Sequence, residues 1–246
     1  MFIAGIIPAR FASTRLPGKP LAIIKGEPMI RHVYERSIEA LDYVVVATDD
    51  RRIKEAVEQF GGRVAMTSAG HRSGTDRCAE AAAKISGPGG VIPDVIINIQ
   101  GDEPFVRPEQ ISQLAEAFND PAAEIATLIR LVKNSDDLFN PGLPKVVFNL
   151  QKEALYFSRW PLPYLRDKDE NSWIENFNFY RHLGMYGYRT KTLMKLADLP
   201  ASPLESAESL EQNRWLENGF NIKVIATEYE SLSVDTPDDL KKANEM

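Results

Sequence analysis

Short β-rich apolar runs alternate with longer segments of helical periodicity through the first half of the chain, and this alternation restricts the fold more than any other feature. Residues 2–8, 43–48 and 95–99 read as buried strands. Residues 28–41, 51–60, 75–85 and 108–118 carry apolar side chains at helical spacing. Asp49 and Asp50 are placed to cap the helix that begins at residue 51, and Pro108 opens the helix after the third strand. A β-α-β-α order predicts an α/β fold, a mainly parallel twisted sheet with helices on both faces. Ligands of such sheets bind beyond the carboxyl ends of the strands, which puts residues 8–19, Asp49 and residues 100–104 along one rim.

The second half changes character. Residues 145–150, 154–158 and 183–189 read as strands of a smaller, more antiparallel portion. They are followed by a helix over 206–218, a strand over 222–226 and a closing helix over 237–244. Residues 160–178 hold prolines, charges and aromatics, which suits a lid or a subunit contact better than a linker. No internal repeat or low-complexity segment interrupts the chain, so residues 1–246 read as one continuous domain with an inserted portion. A chain of 246 residues buries roughly 70–75% of its unfolded surface and needs no disulfide staple.

A net charge of −6 argues against a broad nucleic-acid surface. Anion binding then depends on where the few basic residues converge. The single cysteine, Cys78, excludes an internal disulfide and reads as a small core residue. Arg10 follows only a short apolar run, unlike a signal peptide, and no run approaches the ~18 apolar residues of a membrane span. The expectation is a cytoplasmic enzyme with no membrane partner.

Three stretches carry chemistry. In IIPARFASTRLPGKPL (6–21), a buried strand runs into a loop with Arg10, Ser13, Thr14, Arg15, Gly18 and Lys19. Small residues let backbone N–H groups approach phosphate oxygens, and the cations can neutralise a triphosphate. Neither GxGxxG nor the P-loop pattern is present, which excludes a dinucleotide or Walker-type site. In NIQGDEP (98–104), a strand ends in Gln100, a turn glycine and the carboxylates Asp102 and Glu103. These can hold a hard cation such as magnesium, and they can equally form a helix-capping turn. In SVDTPDDL (233–240), Asp235 precedes a good helix start and becomes catalytic only if the fold brings it beside Asp102. Other polar residues have plain structural readings. His32 sits in a helical pattern, Tyr186 fits a core strand, and Glu205 with Glu208 reads as a solvated helix start.

Together with ATDD, HRSGTDR, ALYFSRWPLP, FYRHLGMYGYR and SPLESAESLEQNRWLENG, these stretches resemble the 3-deoxy-manno-octulosonate (Kdo) cytidylyltransferase family, in order and over nearly the whole chain. The resemblance implies a Rossmann-like, nucleotide-diphospho-sugar transferase-like fold. It implies transfer of CMP from CTP to Kdo with magnesium, in the service of lipopolysaccharide synthesis, by a homodimer. By the same resemblance Arg10, Ser13, Arg15 and Lys19 bind the triphosphate, while Ala9, Ala12, Ser73, Gly74 and Thr75 help hold the nucleoside. Asp102 and Asp235 bind magnesium. Gln100, Arg159, His182, Tyr186, Glu211 and Gln212 surround the sugar acid, with Arg159 on its carboxylate. Residues 1–130 are then mainly CTP-binding, and 131–235 form the sugar-binding and dimer portion. The alternatives are another acid sugar, such as 8-amino Kdo or a sialic acid, and a non-catalytic CTP-binding protein.

Overall fold

The computed structural model describes residues 1–13, 15–230 and 232–246. The chain runs β1 (Ile3–Ala9), a small hairpin of β2 (Ile23–Ile24) and β3 (Glu27–Pro28), α1 (Met29–Ala40), β4 (Val44–Thr48), α2 (Arg51–Gln59), β5 (Val64–Met66), α3 (Gly74–Lys84), β6 (Val95–Asn98) and α4 (Pro108–Glu116). It continues with β7 (Ile125–Leu131), α5 (Ser135–Phe139), β8 (Lys145–Phe148), β9 (Ala154–Ser158), α6 (Trp173–Asn176) and β10 (Tyr180–Arg189). The last elements are α7 (Thr190–Ala197), α8 (Pro203–Glu208), α9 (Glu211–Glu217), β11 (Ile222–Ala226) and α10 (Pro237–Glu245).

Among the described residues, nine strands form one sheet in the order β11-β7-β10-β6-β1-β4-β5, with β8 beside β10 and β9 beside β8. The β5-β4-β1-β6 block is parallel, in registers such as Ile7 opposite Val46 and Gly5 opposite Ile97. Its strands are continuous apolar runs because helices cover both faces. On one face Ile6, Val45 and Ile96 pack under α3, α7 and α9, through Cys78, Leu193 and Trp215. On the other, Ile7, Val46 and Ile97 pack under α1, α2 and α4, through Val33, Ile53 and Ile111. Cys78 is fully buried there and burial pushes its thiol pKa up, so it is inert core.

Three features depart from the pattern of the sequence. The strand expected at 183–189 is longer, beginning at Tyr180, and lies in mid-sheet, antiparallel to both β6 and β7. Its burial alternates up to Gly184 and is continuous from Met185 to Tyr188, where its side chains enter the cores on both faces of the sheet. Residues 125–131, which carry no expectation from alternation, form the interior strand β7. The helix expected over 206–218 is two helices, α8 and α9, broken where Ser209 takes a left-handed φ of 51°. Glu205 and Glu208 are accordingly engaged rather than simply solvated. Glu205 accepts the Ser202 N–H at 3.2 Å, and Glu208 accepts the Ser158 hydroxyl at 2.8 Å and the Arg159 N–H at 2.9 Å.

Candidate functional site

At the carboxyl ends of β1 and β6 the sheet opens into a cavity of about 670 Å³. The loop after β1 supplies one wall, with Ala9, Arg10, Ala12, Ser13, Arg15 and Lys19. Ser73 and Gly74 at the start of α3 supply a second, and Gln100, Asp102 and Asp235 a third. Thr14 of the same basic loop lies outside the described residues.

The basic loop is held by its own residues. Gly18 turns it with a φ of 68°, a conformation that favours glycine, and its N–H donates to the Phe11 carbonyl at 3.2 Å. The Arg52 guanidinium lies 3.3 Å from the centre of the Phe11 ring and pairs with Asp50 at 2.6 Å, so the start of α2 pins the loop from outside. Across the cavity the Ser73 hydroxyl caps α3 by accepting the Asp76 N–H at 3.1 Å. The helix therefore presents its positive N-terminal end to the cavity, where an anion is stabilised.

Asp102 and Asp235 come from opposite ends of the chain and meet here. The Lys19 ammonium donates to Asp102 Oδ2 at 2.6 Å and Asp235 Oδ1 at 2.9 Å, and Arg15 pairs with Asp235 at 3.1 Å. The backbone joins the same segments, since the Val234 N–H donates to the Asp102 carbonyl at 2.8 Å. Glycine is required in the turn that makes this possible: a Cβ on Gly101 would meet the Pro8 carbonyl oxygen at 2.8 Å. Burial alone would lower the Lys19 pKa, but the Asp102 carboxylate, with Asp235, outweighs it and holds the ammonium above its ordinary value.

HRSGTDR contributes more than the sequence motif singled out. His71, Arg72 and Arg77 also line the cavity. Arg77 is buried beneath it, 3.0 Å from Asp49 and donating to the Thr67 hydroxyl at 2.6 Å. Arg10 and Arg72 have no ion pair among the described residues, so positive charge remains for a ligand. Thr75 stands apart from its neighbours. It is buried away from the cavity and donates to Glu211 Oε2 at 2.8 Å.

The residues expected around the sugar divide. Gln100 lines the cavity; Arg159, His182, Tyr186, Glu211 and Gln212 do not. The Arg159 guanidinium donates to three backbone carbonyls, those of Glu208 at 2.6 Å, Pro141 at 3.0 Å and Ser209 at 3.1 Å. It pairs with no carboxylate among the described residues. Nearby Lys145 is fully buried, and burial together with the Arg159 charge pushes its pKa down to about 8. The Thr127 hydroxyl donates to the Met185 carbonyl at 2.8 Å, which assigns His182 Nε2, 2.9 Å away, as the donor to Thr127. Enclosure by protein pushes the His182 pKa down to about 3, although the residue keeps partial solvent exposure, and the ring is neutral. Tyr186 OH, Gln212 Nε2 and Trp215 Nε1 are buried with no hydrogen-bond partner among the described residues. Tyr186 and Trp215 are packed edge to face at 4.9 Å, and Gln212 lies three residues before Trp215 on α9. His32 is structural, with Nε2 2.8 Å from the Ile24 carbonyl.

The donor set at Asp102 and Asp235 fits magnesium. Magnesium is commonly held by one or two carboxylates and completes its shell with waters and substrate phosphates. No cluster of three or more histidine, cysteine or acidic residues suited to a metal occurs among the described residues, so an all-protein cage is not on offer. No helix among the described residues is long and apolar enough to cross a membrane.

The family model described as cytidylyltransferase matches residues 4–225. The 3-deoxy-manno-octulosonate cytidylyltransferase of Parabacteroides distasonis is 56% identical over 99% of this chain and 97% of its own length. The protein of the same name from Bacteroides thetaiotaomicron is 50% identical over 100% and 98%. Among solved structures, a CMP:2-keto-3-deoxy-manno-octonic acid synthetase complexed with CTP aligns with a TM-score of 0.90 and 41% identity, covering 100% of this chain and 98% of that one.

Proposed function

The chain belongs to the 3-deoxy-manno-octulosonate cytidylyltransferase family, and from that premise we propose that it joins Kdo to CMP from CTP, releasing pyrophosphate. The observation that carries this reading is the meeting of Lys19, Asp102 and Asp235 at the mouth of a cation-lined cavity. In the reaction the anomeric oxygen of Kdo bonds to the α-phosphorus, and the bond from that phosphorus to the bridging oxygen breaks. Pyrophosphate leaves with the electron pair, and the sugar hydroxyl loses its proton.

The protein's part is alignment and charge stabilisation, as in other phosphoryl transfers. Arg10, Ser13, Arg15 and Lys19 hold the triphosphate, and Ala9, Ala12, Ser73 and Gly74 shape the nucleoside pocket. A magnesium ion held by Asp102 and Asp235 supplies further neutralisation of phosphate charge. Lys19, already between those carboxylates, is placed to follow charge onto the leaving pyrophosphate.

Gln100, His182, Tyr186 and Gln212 bind the sugar hydroxyls, and the unspent Tyr186 and Gln212 atoms support this assignment. Arg159 binds the sugar carboxylate. Its lack of a carboxylate partner, beside the buried cation Lys145, supports that role. Neutral His182 serves as a hydrogen-bonder. Residues 1–130 are the CTP-binding portion and 131–235 the sugar and dimer portion. Exposed Leu155, Trp160 and Tyr164 support a homodimer contact there. The lone, buried Cys78 supports a reducing, cytoplasmic setting, where the product serves lipopolysaccharide synthesis.

The test is pyrophosphate release with each nucleoside triphosphate, with and without magnesium and an acid-sugar panel. Release that needs CTP, magnesium and Kdo together is expected. Release with a different acid sugar would move the substrate, and CTP binding without release under any condition would refute catalysis.

A further inference from the structure

Thr75 and Glu211 are 136 residues apart and joined by a 2.8 Å hydrogen bond through a part-buried interface. Thr75 follows directly on Ser73 and Gly74, which line the cavity at the start of α3. Glu211 is the first residue of α9, and that helix goes on to place Gln212 and Trp215 against the β10 aromatic cluster. The residue before it, Leu210, makes no side-chain cap; the Glu211 carboxylate tethers this helix end to α3, and Asn213 two residues on tethers it to β9. The second carboxylate oxygen accepts Arg214 Nη2 at 2.6 Å, a contact within α9 itself. Removing the Thr75 hydroxyl leaves Glu211 its Arg214 partner within α9 and a lesser tie to the Ser73 side chain, and takes away the 2.8 Å bond that fixes α9 to the first turn of α3.

We infer that Thr75 is a positioning residue that couples the two substrate sites, holding α9 through Glu211 so that CTP bound against the α3 N-terminus sets the sugar-binding side chains of α9. The inference rests on the function proposed above. Reciprocity follows from linkage: whatever CTP does for the affinity of the sugar, the sugar does for CTP. Burial raises the Glu211 carboxyl above its ordinary range against the Thr75 hydrogen bond, the Arg214 charge and the Ser73 hydrogen bond. This agrees with a carboxylate that depends on the few partners it has.

The experiment measures binding of a Kdo analogue lacking the anomeric hydroxyl, with and without CTP and magnesium, in the wild type, Thr75→Val and Thr75→Ser. The wild type is expected to gain about tenfold in analogue affinity on adding CTP, a typical coupling. Thr75→Val, equal in shape but without the donor, should lose most of that gain. Its KM for Kdo should rise while its KM for CTP and its melting temperature stay close to the wild type. Thr75→Ser, which keeps the hydroxyl, should restore the coupling. Undiminished coupling in Thr75→Val, equal loss in Thr75→Ser, or a matching rise in the KM for CTP would each overturn the inference. Wild-type pyrophosphate release from CTP and Kdo, run in parallel, separates these outcomes from failure of the proposed reaction itself.

Discussion

The wall that faces the cavity and the group of residues around β9, β10 and α9 differ in how far each is prepared for a ligand. On the first, Arg10 and Arg72 stand unpaired among the described residues, the α3 N-terminus points inward, and the loop is fixed by Gly18 and by Arg52 over Phe11. On the second, the Arg159 guanidinium is committed to three carbonyls, and the unspent polar atoms of Tyr186, Gln212 and Trp215 are out of solvent. Orphaned buried polar atoms are costly, on the order of 1–3 kcal/mol each. One wall is thus shaped before a ligand arrives, while the other keeps its polar groups committed to the protein or buried.

The sharpest way to probe the prepared wall is to remove its acids. Asp102→Asn and Asp235→Asn are each expected to lower turnover by about 10²–10³-fold or more, with the circular dichroism spectrum unchanged. Full magnesium-dependent activity in both variants would sink the two-aspartate site. Calorimetry tests the contrast itself. CTP with magnesium should bind in the absence of sugar, whereas Kdo alone should bind about tenfold or more weakly than in the presence of a CTP analogue. Equal sugar affinity in both conditions would break the comparison.

Smaller effects follow from titration. His182 sits at about 3 against an ordinary 6.5, so the folded protein refuses a proton that the unfolded chain accepts. Its stability contribution is complete above pH 6.5 and is lost as pH falls from 6.5 toward 3. A His182→Asn variant should therefore lose less stability than the wild type over that window in denaturant titrations. On the prepared side, Glu80 is held down to about 2 by Lys84, the Ser68 N–H and His71. A depressed carboxylate stabilises above its ordinary 4.5, and that contribution disappears as pH falls toward 2. Glu80→Gln should differ least from the wild type at the acid end, and a gap that widens below pH 4.5 would contradict the pairing.

The same contrast governs what could be read from the sequence. The basic loop was legible because its cations and glycine are contiguous and follow one strand, and the alternation of runs fixed the parallel block. Asp102 and Asp235 could be named only conditionally, since their meeting depends on the Val234–Asp102 backbone bond that no local pattern encodes. Residues 206–218 have a helical pattern throughout, and nothing in it marks Ser209 as the left-handed break. Thr75 reads as part of SGT at the cavity, yet the first turn of α3 rotates its side chain toward Glu211. Arg77 hides in a helical stretch, and its place under the cavity comes from packing against Asp49 and Thr67.

The position of β10 has a further consequence for anyone who would re-engineer this chain. Because that strand is laddered to β6 on one side and β7 on the other, the later half of the chain is no detachable module. A chimera that grafts in another enzyme's later half replaces a central strand of the host sheet, and must match Asn98 and Thr127 across from Tyr186 before it can alter what the protein accepts. Changes here are made side chain by side chain, within a sheet that both halves share.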